Sequence, residues 1–240
     1  MSKEGAMKQL PGLVGASLLG LGLAGTAHAG YLPIDFSAFY NFNPNQIYGF
    51  PSGPQTFAGV PFQMTVNGAG QDSWNSFYAP CFSCSITVPV GVAGVDHIYT
   101  LINTWWGFAG STEGSVTANF SNGASYTYNL TAGYTVRDYN PSVFSNTLFD
   151  PSAQNVVTLG TGYRMDMQSI ALPAADTSLF LTSITISGLN DPNFWTEFVS
   201  GITVAGADVP EPGTLALFGV GLAGLALSRR RRSSSPAAAA

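Results

Sequence analysis

From Ser115 to Leu130 the side chains alternate in kind. Val116, Ala118 and Phe120 interleave with Ser115, Thr117 and Asn119; after Asn122-Gly123, Tyr126, Tyr128 and Leu130 interleave with Ser125, Thr127 and Asn129. A period of two fits a pleated strand, whose successive side chains face opposite ways, and does not fit a helix, whose period is 3.6. The stretch predicts a β-hairpin with one wet face, turned by Asn-Gly, which supplies the positive φ angles of a tight turn.

The rest of the body reads the same way. Val60–Val66 and Ile86–Val90 predict strands, and Val95–Trp106 carries apolar side chains on both alternation classes, as a central strand covered on two faces does. Ala132-Gly133 turns the chain into a strand Tyr134–Tyr139, followed by strands at Asn155–Leu159, Ile170–Leu172, Phe180–Ser187 and Gly201–Val204. Asp35–Phe42 predicts a first strand whose register is weakly specified. No run of ten or more residues between Gly30 and Asp208 has helical periodicity. Many short strands, with turn residues every eight to twelve positions, predict an all-β fold, a β-sandwich or jelly roll.

The two ends differ from this body. Lys3 and Lys8 precede the apolar stretch Leu10–Ala24, and Ala27-His28-Ala29 has the small residues a signal peptidase reads. Residues 1–29 are therefore read as a signal peptide cut between Ala29 and Gly30, and 30–208 as one β-sandwich domain. At the other end Thr214–Leu227 is apolar for about 21 Å as a helix, short against the ~30 Å a permanent span crosses. Gly219, Gly221 and Gly224 weaken it further, while Arg229–Arg232 would hold its far end on the cytoplasmic side. This short C-terminal hydrophobic helix suits a segment that stops and holds an exported chain; a plain C-terminal membrane anchor is the other reading. Residues 233–240 read as a disordered, low-complexity tail.

Val209-Pro210-Glu211-Pro212, a short apolar segment and then Arg229, Arg230, Arg231 and Arg232 resemble the PEP-CTERM sorting signal of Gram-negative bacteria. That resemblance, which covers residues 209–232, implies processing by an exosortase-type membrane protease near Pro210-Glu211-Pro212. It also implies transient inner-membrane anchoring, then release to the cell surface or into extracellular polysaccharide, in the company of exopolysaccharide and biofilm production. A weaker resemblance covers Gly59–Tyr139: Gly59-Val-Pro-Phe, Ile86-Thr-Val-Pro-Val, Ile98-Tyr-Thr-Leu-Ile-Asn and the hairpin are similar in succession to galactose-binding-like jelly rolls. That family binds sugars through loops at one end of the sandwich.

Charge narrows the partners. Between Gly30 and Asp208 the chain has two arginines, no lysine and eleven carboxylates, a net charge of −9. Such a surface repels phosphate backbones and anionic headgroups, which excludes nucleic acid as a partner. Cys81 and Cys84 lie in an exported chain, where a local disulfide persists. A redox pair would open a helix, whereas a strand follows here; zinc would need more ligands than these and His97 supply; free thiols are the last alternative.

For ligands, the face of an indole can stack on a sugar ring. Trp105 and Trp106 are adjacent in a strand and point to opposite faces, so Trp105 is expected in the core and Trp106, where a loop begins at Gly107, is the candidate glycan contact. Trp74, in a polar loop, and Trp195, near Asp191 and Asn193, are further candidates. Asp138, Asn140 and Asp150 offer hard oxygens for a structural calcium ion, although Asn140-Pro141 and Asp150-Pro151 are equally turn signals. His97, inside a strand, is expected to be buried and hydrogen-bonded. No nucleophile elbow, zinc-protease helix or phosphate loop is present, so the chain is read as non-enzymatic. A glycosidase would need only two carboxyl groups about 5–10 Å apart, for which Glu113 and Glu197 are candidates. Asn119-Phe-Ser and Asn129-Leu-Thr fit a glycosylation pattern that an Asn-rich chain also meets by chance. The expected roles are an exported surface or matrix protein, a carbohydrate-binding module, or a secreted glycan-degrading enzyme, in that order.

Overall fold

A computed structural model describes residues 30–76, 85–142, 146–188 and 196–206. The chain enters as β1 (Gly30–Pro33), makes one 3-10 turn at Ser37–Phe39 and a short helix α1 (Pro44–Tyr48), and continues as β2 (Gly53–Phe57), β3 (Val60–Met64) and β4 (Trp74–Asn75). Then come β5 (Ser85–Ala93), β6 (His97–Trp105), β7 (Thr112–Phe120) and β8 (Ser125–Thr131). The last strands are β9 (Ala153–Thr158), β10 (Arg164–Ala171), β11 (Phe180–Gly188) and β12 (Thr196–Gly206). One sheet runs β1-β12-β6-β10-β9 with β4 on β12; the other runs β5-β11-β7-β8; β2 and β3 form a separate hairpin. These strand pairs are antiparallel, and the fold is an all-β sandwich. The likeness to galactose-binding-like jelly rolls extends only as far as this antiparallel sandwich.

Alternation along β6 explains why it is central. Ile98 and Ile102 point between the sheets and meet Val88, Val116, Ala118, Leu130, Ile184 and Ile186 in the inner core, with Val199, Ile202 and Val204 from β12. Leu101 points the other way, into an outer core with Met165, Met167 and Phe198. That outer core is roofed by Phe42, Phe50 and the hairpin residues Val60, Phe62 and Met64. Burying each large apolar side chain contributes roughly 1.5–3 kcal/mol, which makes two apolar faces on one strand a strong determinant of its place.

The predicted hairpin forms, with Val116 opposite Tyr128 and Ala118 opposite Tyr126. On its wet face the Thr117 and Thr127 hydroxyls lie 3.0 Å apart. Its turn differs from the expected one. Only Gly123 has positive φ, and the Asn122 side chain instead accepts the Ala124 N–H at 2.9 Å. The turn with two positive φ angles is at Ala58 and Gly59, φ 48° and 84°, and joins β2 to β3.

Three expectations are corrected. Asp35–Phe42 is not the first strand: β1 precedes it, and Phe36 and Tyr40 pack edge to face at 4.9 Å into the inner core, where burial of two rings outweighs strand propensity. Tyr134–Tyr139 is not a strand either. Residues 131–136 fold into turns, and the chain then touches β6 through one parallel bridge, Thr104 to Asp138. Finally, β12 spans Thr196–Gly206 rather than Gly201–Val204, with a bulge between Val199 and Gly201 that interrupts the alternation.

The signal peptide, the C-terminal hydrophobic helix, Cys81, Cys84 and Trp195 lie outside the described residues. Among the described residues no helix is long and apolar enough to cross a membrane.

Candidate functional site

The end of β6 positions the site. Trp105 continues the strand alternation into the outer core, its ring 5.5 Å from that of Phe42 and 6.5 Å from that of Tyr139. Trp106 leaves the strand at φ 60°, a left-handed conformation that costs a side-chain-bearing residue about 1–2 kcal/mol. A charge-assisted hydrogen bond offsets this strain: the Trp106 N–H donates to Asp138 Oδ2 at 2.5 Å. Asp138 also accepts the Asn140 N–H on Oδ1 at 2.7 Å. Burial nevertheless pushes its carboxyl up to about 6, because two amides only partly replace the lost water. Gly107 follows, and a Cβ there would lie 3.0 Å from the Glu113 carboxyl and from Ala132 Cβ.

The outcome is that Trp106 is 47% exposed at one end of the sandwich while Trp105 is packed: the left-handed turn takes Trp106 off the strand, whose alternation would have sent it inward with Ile98 and Ile102. Three neighbouring loops carry more exposed aromatics. Phe108 follows Trp106 in the loop 106–111, which is tied to the next loop by Gly110 N–H to Ala132 O at 2.8 Å and Ala132 N–H to Ser111 O at 2.8 Å. Tyr134 stands in that second loop. Phe149, 71% exposed, comes from the third, which is joined to it by Asp150 N–H to Tyr134 O and by the Thr147 hydroxyl to Gly133 O. The rings of Tyr134 and Phe149 lie 5.7 Å apart. Phe108, Tyr134 and Phe149 were not among the sequence candidates. Each sits beside a turn residue, Gly107, Gly133 and Asp150, and that adjacency is the signal that could have found them.

Trp74 is corrected. It forms β4 against β12 and is 3% exposed within the inner core, so its ring is not available to a ligand. His97 is corrected too: its side chain is half-exposed at the start of β6, with Nδ1 2.8 Å from Asp96 Oδ1. In the proposed calcium trio, each side chain caps its own turn. Asp138 Oδ1, Asn140 Oδ1 and Asp150 Oδ1 accept the N–H two residues ahead, from Asn140, Ser142 and Ser152. Among the described residues no three of His, Cys, Asp and Glu are grouped to hold a metal.

The structure brings Glu113 and Glu197 together, both buried. Glu113 is the residue displaced inward by the bulge between Thr112 and Gly114, and the Ser111 hydroxyl donates to it. Glu197 lies beneath β7 and β11: a Cβ on Gly114 would be 3.4 Å from its carboxyl carbon, and one on Gly188 would be 2.6 Å from Oε1. Burial pushes Glu197 up to about 8, the Glu113 carboxylate adding to the rise and the Ser76 hydroxyl, 3.2 Å from Oε2, opposing it. Glu197 is thus mostly protonated at neutral pH and walled off from solvent. A glycosidase needs the opposite, a pair of carboxyl groups open to a sugar ring.

No curated protein matches this chain. Its C-terminal region, residues 208–232, matches the PEP-CTERM protein-sorting motif, and the chain is therefore an exported protein that an exosortase sorts at the membrane.

Proposed function

We propose that this exported protein is a non-enzymatic component of the surface or extracellular matrix of a Gram-negative bacterium, and that it associates with extracellular polysaccharide through its aromatic end. The observation that carries this reading is the group of exposed rings, Trp106, Phe108, Tyr134 and Phe149, on three hydrogen-bonded loops. Large exposed aromatics in one region are uncommon on a protein that meets only water, and their faces suit the apolar faces of sugar rings. The net charge of −9 between Gly30 and Asp208 supports a neutral or cationic glycan over a polyanionic one. A non-enzymatic role is favoured by the burial of Glu113 and Glu197, which leaves the carboxyl pair without access to a substrate.

In this reading the exosortase acts near Pro210-Glu211-Pro212 while Arg229–Arg232 hold the apolar segment in the inner membrane, and the body is then released outward. A pull-down of the exported protein on the producing organism's exopolysaccharide tests the binding. Retention of the wild type and loss with Trp106→Ala or Phe149→Ala is expected. Equal retention of all three would overturn the aromatic contact, and no retention of the wild type would leave a matrix role without this polysaccharide.

A further inference from the structure

We propose that Glu197, Glu113, Thr104 and Ser76 form a divalent-cation site at the base of the loop that carries Trp106, occupied by calcium once the protein is outside the cell. The site differs from Asp138, Asn140 and Asp150, whose side chains cap turns.

Two buried oxygens carry the inference. Glu197 is 0% exposed; the Ser76 hydroxyl reaches Oε2, while Oε1 has no hydrogen-bond partner. Thr104 is also 0% exposed, and its hydroxyl has no partner either. These residues face each other in the β12–β6 register, Glu197 opposite Thr104, so their side chains rise from the same side of the sheet with Cβ atoms about 4.5–5.5 Å apart. That side is the interior, because Glu197 abuts Gly114 and Gly188 of the opposite sheet. The glycines make room for the carboxyl, since a side chain on Gly188 would run into both Glu197 Oε1 and Ser76. A buried carboxylate with an unused oxygen, a second carboxyl near it and an unused hydroxyl costs several kcal/mol unless a proton or a cation compensates it.

Every ligand in this set is oxygen, which suits a hard cation; with neither His nor Cys it does not suit zinc or copper. Calcium takes six to eight oxygens from carboxylates, hydroxyls, carbonyls and water, and bound by extracellular modules it dissociates at about 10⁻⁴–10⁻³ M.

The test uses the exported protein after chelation, titrated calorimetrically with calcium chloride. One saturable site with a dissociation constant of roughly 10⁻⁴–10⁻³ M is expected, together with a calcium-dependent rise in melting temperature. Glu197→Gln and Thr104→Val should each weaken binding, the former at least tenfold, while Asp150→Asn should not. Thr104→Val keeps both carboxyls and serves if Glu197→Gln fails to fold. Absence of saturable binding up to about 10 mM would overturn the site and leave a proton as the sole compensation. So would binding that both variants preserve.

Discussion

Arg137 grips Asp166 with two parallel hydrogen bonds, Nε to Oδ2 and Nη2 to Oδ1, each 2.8 Å long. Asp166 is fully buried and also accepts from the side-chain amides of Asn103 and Asn155. One of the two arginines of the body is thereby committed to joining the 137–139 segment to β10 rather than to any partner.

Arg137→Ala should therefore destabilise the protein by about 3–5 kcal/mol, because it leaves a buried carboxylate uncompensated. Arg137→Lys restores the charge but not the planar fork and should recover only part of this loss. Urea denaturation of the three forms measures both.

Trp106 combines exposure with strain, so its two small replacements should separate. Trp106→Gly removes the left-handed penalty and should be more stable than Trp106→Ala by about 1 kcal/mol, although both lose the ring. Thermal melting checks the order; an alanine variant at least as stable as the glycine one would show that Asp138 does not hold a strained backbone.

Gly201 sits at the β12 bulge beneath the β2–β3 hairpin, where an added Cβ would lie 2.8 Å from Phe62 Cδ1 and 2.9 Å from Leu101 Cδ1. Gly201→Ala should cost about 1–3 kcal/mol through overpacking, and should loosen the hairpin first. Hydrogen exchange at Val60–Met64 reads this directly.

Burial raises the carboxyls of Asp72 to about 7, Asp138 to about 6 and Glu197 to about 8. In the unfolded chain such groups titrate near 4. Between those values the folded protein holds protons that the unfolded chain has released, so stability is fully present below about pH 4 for these groups and is lost as pH rises toward 8. In calcium-free buffer the denaturation midpoint should be higher at about pH 5 than at about pH 8.5, and Glu197→Gln should flatten the part of the decline that ends near its folded value.

Much of this protein could be read from local pattern. The hairpin Ser115–Leu130 and the two apolar faces of β6 follow from a period of two, a property of the single strand, whereas Trp106 faces outward because a left-handed turn takes it off that strand. Trp74 could not be read that way. Its neighbours Asp72, Ser73, Asn75 and Ser76 are polar, yet all are buried against β12 and the segment around Phe42, so composition pointed outward where packing pointed in. The aromatic run Asp35–Phe42 failed as a strand for the same reason: contacts from distant parts of the chain, not neighbours along it, fix its conformation.

The hairpin, the central strand, the acidic charge and the C-terminal sorting motif were legible along the chain, because alternation, charge and a contiguous motif are properties of neighbouring residues. Which distant side chains share a space was settled by packing between strands. It set Phe108, Tyr134 and Phe149 on neighbouring loops near Trp106, and it placed Glu197 across from Thr104 and beside Glu113. Such meetings depend on sheet order and register, which are fixed by the burial of apolar faces over the whole chain.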